Sequence, residues 1–356
     1  MNMRIVEVRA HTVERHNGQP HRWRDGLPTS DGTGTDVWVQ IRTDAGVDGW
    51  AFTGHWGAIA ARVIEDHIAP AVIGMNPLLK EDLWHQVAEL DRLEQLPIYT
   101  LGLVDIACWD ITAKVAGLPL YALLGGSAAP IPAYASTATF DDIETYLDVA
   151  DQCLDAGFTA IKLHAWGDGR RDAALVEALR VHVGDDVALM YDGSGAFDYS
   201  DALRLGRVLE AAGYLWYEEP MPEFALWPYQ RLCDDLDLAV LGAECSHGAH
   251  HTAAEWLRTG SCDLIRTGTD LKRGVTGALR IAHLADAFAT TAEVHGGGLA
   301  NLQLCAAIPN NSFYESMVLT NPIQVEPLIT ADGTIRPPEV PGIGYEAELD
   351  GFGLLT

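Results

Sequence analysis

Two rhythms of apolar residues divide the chain. Up to about residue 125, alternation comes first: residues 3–10 and 36–42 (Asp36-Val-Trp-Val-Gln-Ile-Arg42) switch between polar and apolar and predict two strands. Helical spacing follows over 57–70, 79–92 and 99–117, and Gly117-Leu-Pro119 stops the last of these runs. Between the two strands, His16 to Gly34 shows no regular pattern. It is polar and rich in Gly and carries His21, Arg22, Trp23 and Arg24. An irregular stretch of that length reads as a functional lid or as a merely mobile loop.

From about residue 130 the rhythm changes. Short β-rich runs recur at Ile131–Ser136, Ala160–Ala165, Val187–Gly193, Leu215–Pro220, Ala239–Cys245, Leu264–Gly268, Thr290–His295 and Phe313–Ser316, each followed by a helical stretch. Alternating βα units make right-handed parallel crossovers, and eight of them close into a barrel. The predicted fold is therefore α/β, with a (β/α)₈ TIM-type barrel. The tail, 321–356, is rich in Pro and Gly, lacks this periodicity, and is expected to run back onto the N-terminal part.

Polar residues end these strands at a regular interval: His164, Asp192, Glu218 and Glu244 follow one another 28, 26 and 26 residues apart, with His295 and Glu315 further on. One βα unit has about this length, so each is expected at the same height in one mouth, where barrel enzymes carry their chemistry. Three carboxylates on adjacent strands repel one another unless a cation holds them. Asp192, Glu218 and Glu244 thus read as ligands of a hard dication such as Mg²⁺, against the alternative of three unrelated surface acids. Lys162 and His164, two apart on one strand, point to one face. Two adjacent basic groups lower each other's pKa, as a general base near neutral pH requires. His295 comes from a strand across the barrel and reads as a second acid/base or as a structural imidazole.

Charge narrows the partners. The 356 residues hold 23 Lys and Arg against 50 Asp and Glu, a net charge of −27. A surface so acidic argues against nucleic acid, which needs clustered Lys and Arg. No run of about 18 apolar residues predicts a membrane span, and Met1 to Arg15, alternating charged and apolar residues, does not read as a signal peptide. The six cysteines form no CxxC pair and most have apolar neighbours, so free thiols in a reducing cytoplasm are expected.

The chain resembles the mandelate racemase subgroup of the enolase superfamily over nearly its whole length. The N-terminal half of the resemblance is Gly102-Leu-Val-Asp-Ile-Ala-Cys-Trp-Asp110, Ala113-Lys114 and Gly117-Leu-Pro-Leu-Tyr-Ala-Leu-Leu-Gly-Gly126. The barrel half is Ile161-Lys-Leu-His164, Tyr191-Asp-Gly193, Trp216-Tyr-Glu-Glu-Pro220, Gly242-Ala-Glu244, Glu293-Val-His295 and Tyr314-Glu315. The resemblance implies an α+β capping domain over 1–125, completed by 321–356, and a catalytic barrel over 126–320. It implies a homo-oligomer acting on a small-molecule carboxylate. Asp192, Glu218 and Glu244 would hold Mg²⁺, with Glu219 behind them. Lys162 would bind the substrate carboxylate, His164 and His295 would be the acid/base pair, and Glu315 would hydrogen-bond a carboxylate oxygen of the enolate. The chain departs from the pattern at His164, where many relatives have Lys, and at Ser194, where Asn is frequent. It departs again at Gly268, where an Asp usually partners the His of the seventh strand; Asp270 lies two residues on.

The chemistry implied is abstraction of a proton next to a carboxylate. Dehydration of a sugar acid to a 2-keto-3-deoxy acid leads, with His21 and Arg24 of the polar stretch as binders of a hydroxyl-rich substrate. Racemisation or epimerisation of a 2-hydroxy acid uses the same pair of bases, and lactone cycloisomerisation is related to it. Two readings of other classes stand beside these: a zinc hydrolase using His247, His250 and His251, and a non-catalytic metal-binding barrel.

Overall fold

The computed structural model describes residues 3–16 and 18–354. Its N-terminal part is an antiparallel sheet in the order β1 (Ile5–Arg15), β2 (Gly34–Thr43), β3 (Asp48–Thr53). β3 escapes the sequence pattern because it is short and contains Gly49. That glycine is required: a Cβ there would sit 2.1 Å from the Ala107 carbonyl oxygen, so its absence lets the helix Leu103–Ala116 lie on the sheet. The helical run at 57–70 is real but interrupted, with one wider π turn at Ile64–Ile68 between Gly57–Val63 and Ala69–Val72. The next run is the helix Lys80–Glu94.

All eight predicted barrel strands form. They are β4 (Ile131–Thr137), β5 (Ala160–His164), β6 (Ala188–Asp192), β7 (Trp216–Glu218), β8 (Ala239–Gly242), β9 (Leu264–Thr267), β10 (Ala292–Val294) and β11 (Tyr314–Val318). Each pairs in parallel with the next from β4 to β10, and β11 returns to pair with β4. Between β10 and β11 loop contacts replace a ladder: Ala292 N donates to the Asn310 carbonyl at 2.8 Å and Val294 N to Asn311 Oδ1 at 2.9 Å. Alternation sorts the side chains. Ile161, Leu163, Leu189, Tyr191, Tyr217 and Val240 join the large core under the helices. Ala160, Met190, Trp216 and Leu241 form a small apolar plug inside the barrel with Tyr134. One step further along the same inner face stand Lys162, His164, Asp192 and Glu218, so the polar mouth rests on an apolar floor.

Three connections fix the N-terminal part over that mouth. Asp105, buried in the helix Leu103–Ala116, accepts from Thr276 N at 2.9 Å and Thr276 Oγ1 at 2.6 Å on the barrel helix Gly274–Ala287. Asp110 accepts from Trp50 N of β3 at 3.1 Å and from Ile343 N of the tail at 2.8 Å, with Lys114 Nζ at 2.7 Å. The tail also places Tyr345 edge-on against Trp38, ring centres 5.3 Å apart. The stretch 18–33 lies across the barrel: Thr139 N donates to the Arg22 carbonyl at 2.8 Å and Asp25 N to the Trp166 carbonyl at 3.2 Å. Among the described residues no helix is long and apolar enough to cross a membrane.

Replacing Asp105 by Ala strands a buried N–H and a buried hydroxyl of Thr276. The expected cost is about 2 kcal/mol, read as a lower urea midpoint; an unchanged midpoint contradicts the clamp.

Candidate active site

His164, Asp192 and Glu218 are direct neighbours in the ladder, each the Cα partner of the next across β5, β6 and β7. For these three the regular sequence interval does translate into equal height. Glu244 departs from that expectation. Glu218 pairs with Leu241, so Glu244 lies beyond the ladder, two residues past β8. It returns to the mouth because Ala243 takes a left-handed conformation, φ 73°. Lys272 fastens the turn, its buried ammonium donating to the carbonyls of Ala243 at 2.5 Å and Ser246 at 3.0 Å. The Glu244 N–H donates to Glu219 Oε1 at 3.2 Å. One oxygen each from Asp192, Glu218 and Glu244 then lie within 4.8 Å of one another.

Two buried cations stand under the triad. Lys162 Nζ is 2.9 Å from Glu218 Oε2, 2.9 Å from Glu315 Oε1 and 3.3 Å from Asp192 Oδ2. Arg266, fully buried on β9, reaches Glu218 Oε2 at 2.8 Å and lies 3.6 Å from Glu315. Burial alone would strip the proton from Lys162, but the Glu218 and Glu315 carboxylates outweigh it and hold the ammonium charged. Burial likewise opposes charge on Asp192, and His164 and Lys162 overcome that and keep it well below the usual carboxylate range. Among the described residues Glu244 has no Lys or Arg within ion-pair reach, only the His295 imidazole. Burial, then the Glu218 and Asp192 charges, push it up to about 8. The triad therefore carries more negative charge than its protein surroundings balance, which is the electrostatic signature of a cation site.

Two imidazoles flank the triad. His164 Nε2 is 3.1 Å from Asp192 Oδ2, and its Nδ1 donates to the Thr137 carbonyl at 2.7 Å, so Nε2 is the nitrogen presented to the cavity. His295 follows β10 and places Nε2 3.2 Å from Glu244 Oε1. Burial lowers its pKa, although 25% of its side chain opens onto the cavity. No hydrogen bond joins it to Asp270, and a Cβ on Gly268 would stand 3.2 Å from the His295 carbonyl. Glu315 accepts from Gly296 N at 2.7 Å, and Lys162 and Arg266 overcome its burial and hold it ionised.

Above these groups is a cavity of about 350 Å³, walled by His164, Asp192, Glu244, His295 and Glu315 from the barrel, Trp23 and Leu27 from the crossing stretch, and His55 and Tyr99 from the N-terminal part. A larger cavity, about 1070 Å³, is lined by Leu302, Tyr314, Pro338 and Val340 and holds neither a triad carboxylate nor an imidazole. Lys162 lies beneath the floor. His21 and Arg24 do not reach the wall: His21 Nδ1 turns to the Gln19 carbonyl at 2.8 Å, and Arg24 Nε donates to the Ser194 carbonyl at 3.0 Å. Trp23, between them, does the contacting, its ring 4.7 Å from that of His164. His247, His250 and His251 are not part of any metal-ligating cluster among the described residues. Sequence reasoning missed Arg266, whose signal is a charged residue inside a short β-run, and missed His55 and Tyr99. The last two stack at 3.9 Å but lie far from the barrel in the chain.

Residues 10–125 match the mandelate racemase / muconate lactonizing enzyme N-terminal domain, and 145–350 match the enolase C-terminal domain-like family. The chain belongs to the mandelate racemase/muconate lactonizing group of the enolase superfamily. It is 27% identical over 327 residues to an arabinonate dehydratase of Saccharolobus solfataricus, covering 87% of each chain. It is 27% identical over 336 residues to a 3,6-anhydro-alpha-L-galactonate cycloisomerase of Streptomyces coelicolor, covering 90% of this chain and 91% of that one. The crystal structure of D-glucarate dehydratase from Agrobacterium tumefaciens, complexed with magnesium, superposes with a TM-score of 0.89 at 33% identity, over 97% of this chain and 96% of that one.

A carboxyl held up to about 8 is largely protonated at pH 7, and a cation needs it ionised. Adding Mg²⁺ at pH 7 is expected to release about one proton, and affinity is expected to rise as pH climbs toward 8. Calorimetry in two buffers of different ionisation enthalpy reads the proton; identical heats contradict it.

Proposed function

We propose that this protein removes the proton next to the carboxylate of an acid sugar and expels the neighbouring hydroxyl, leaving a 2-keto-3-deoxy acid. The observation that carries the reading is the pair of imidazoles at the two ends of one carboxylate triad, His164 at Asp192 and His295 at Glu244, both open to one cavity. Support also comes from the relatives, two of which are named as sugar-acid dehydratases.

The donor set suits Mg²⁺: three carboxylates with converging oxygens, one of them without a Lys or Arg partner. Asp192, Glu218 and Glu244 would hold it. When bound, Mg²⁺ offsets the negative charge that grows on the substrate carboxylate as the proton leaves.

His164 is the base in this reading. Its Nδ1 is committed to a carbonyl, which leaves the cavity-facing Nε2 to take the proton, and Trp23 packs against the ring at a tilt of 49°. Lys162 is a poor candidate for that role, because its carboxylate partners keep it charged. It supplies fixed positive charge beneath the substrate carboxylate. His295 gives a proton to the departing β-hydroxyl, which leaves as water when the C–O bond breaks; the resulting enol becomes the ketone. The lowered pKa of His295 makes it a ready proton donor once charged. Epimerisation uses the same two imidazoles, with His295 returning its proton to the α-carbon.

The two roles separate experimentally. With Mg²⁺ and pooled acid sugars in D₂O, followed by NMR, His164→Asn is expected to lose both α-proton exchange and product by about a thousandfold. His295→Asn is expected to keep exchange and lose the 2-keto-3-deoxy product. Full exchange in His164→Asn contradicts its role as base. Inverted configuration without dehydration in the wild type replaces the lyase with an epimerase.

A further inference from the structure

Resting on that proposed function, we infer that the substrate is a monocarboxylic acid sugar, an aldonate with an uncharged hydroxyl-bearing tail, and not an aldarate with a carboxylate at each end. The argument is a census of charge around the cavity. Its wall carries five carboxyl groups, Asp192, Glu219, Glu223, Glu244 and Glu315. Its basic groups are three imidazoles, His55, His164 and His295, and no Lys or Arg lines it. His55 is open to the cavity yet ringed by protein, and burial pushes it down to about 4, so it meets a substrate as a neutral ring.

The cations Lys162, Arg266, Lys272, Arg24 and Arg15 are held by other groups, and none lines the wall. Lys162 and Arg266 lie under the floor on Glu218 and Glu315. Lys272 donates to the Ala243 and Ser246 carbonyls and Arg24 to those of Ser194 and Asp25, and neither lines the cavity. Arg15 is paired with Asp36. A second cavity of about 570 Å³ shares His55 and Met317 with the first, and it adds Asp36, Asp270, Glu326 and Glu348 without a lining Lys or Arg. An aldarate therefore finds no counter-charge there either.

The first carboxylate of a substrate has a destination, the cation site with Lys162 beneath it. A second carboxylate would leave water to face the acidic Glu223 with no Lys or Arg on the wall to receive it, and a charge confined in this way without a partner is discriminated against strongly. An aldonate tail meets the same wall favourably. Its hydroxyls donate to Glu219 and Glu223, and its C–H faces lie against Trp23, Leu27 and Tyr99. One solved relative is named for a dicarboxylate, D-glucarate, so the two alternatives are both at home on this fold and the wall decides between them.

The test compares matched pairs, gluconate with glucarate, galactonate with galactarate, mannonate with mannarate and arabinonate with arabinarate, by α-proton exchange and product formation in D₂O with Mg²⁺. The expected result is a kcat/KM for the best aldonate at least about 100-fold above its aldarate partner. An aldarate used as well or better overturns the inference and leaves dehydration standing. Exchange with no acid of either kind, by protein shown to bind Mg²⁺, overturns the proposed function and the inference with it. Glu223→Lys, which puts a cation on the wall, is expected to narrow the ratio about tenfold. An unchanged ratio in a variant that still binds Mg²⁺ overturns the role given to the wall; the wild-type comparison stands whether or not the variant folds.

Discussion

Three carboxylates converge at the mouth of this barrel, on a floor that offers too little positive charge to balance them. Lys162 and Arg266 serve Glu218, Glu315 and Asp192, and nothing comparable serves Glu244, whose pKa climbs to about 8 as a result. A cation in the gap resolves the repulsion. The remaining features of the mouth follow from it: an apolar plug below keeps water out, and an imidazole stands at each end of the triad where a substrate bound at the centre must lie between them. The cost of burying so much charge is met collectively, because Lys162 and Arg266 lie within reach of Glu218 and Glu315, and Lys162 also of Asp192.

The fold contributes position more than chemistry. Three adjacent strands set His164, Asp192 and Glu218 side by side with no special device, since parallel register does the work. Glu244 needs a device: a left-handed residue at Ala243 and the buried ammonium of Lys272 holding the turn. The N-terminal part adds His55, Tyr99 and Trp23 as a roof, and it is held in place from below by Asp105 and from the side by Asp110, each accepting backbone N–H groups from a second segment. The side chains that would do chemistry thus sit on the barrel strands, as Lys162, His164, Asp192 and Glu218 do, or just past their ends, as Glu244 and His295 do.

How much of this was legible in the sequence depends on the range of each signal. The eight barrel strands were readable because each couples a short β-rich run to a helix, a local pattern. The triad was readable because one βα unit has a nearly constant length. β3 was not, because six residues containing Gly49 carry too little alternation. His21 and Arg24 were chosen for their polarity, yet they turn to backbone carbonyls and leave the wall to Trp23, whose ring packs on His164. His55 and Tyr99 had no local signal, since their place depends on how the N-terminal part docks. Glu315 was singled out from resemblance; its neighbours Lys162 and Arg266 become known only once β5, β9 and β11 are closed into a ring.

The central claim is that Asp192, Glu218 and Glu244 form one cation site. Diffraction from crystals soaked in Mn²⁺, with its anomalous signal, tests this most directly. The account expects a single strong peak about 2.2 Å from one oxygen of each of the three carboxylates, with Lys162 displaced from Asp192. A fully occupied Mn²⁺ elsewhere on the molecule, with the triad still bridged by Lys162 alone, would contradict it.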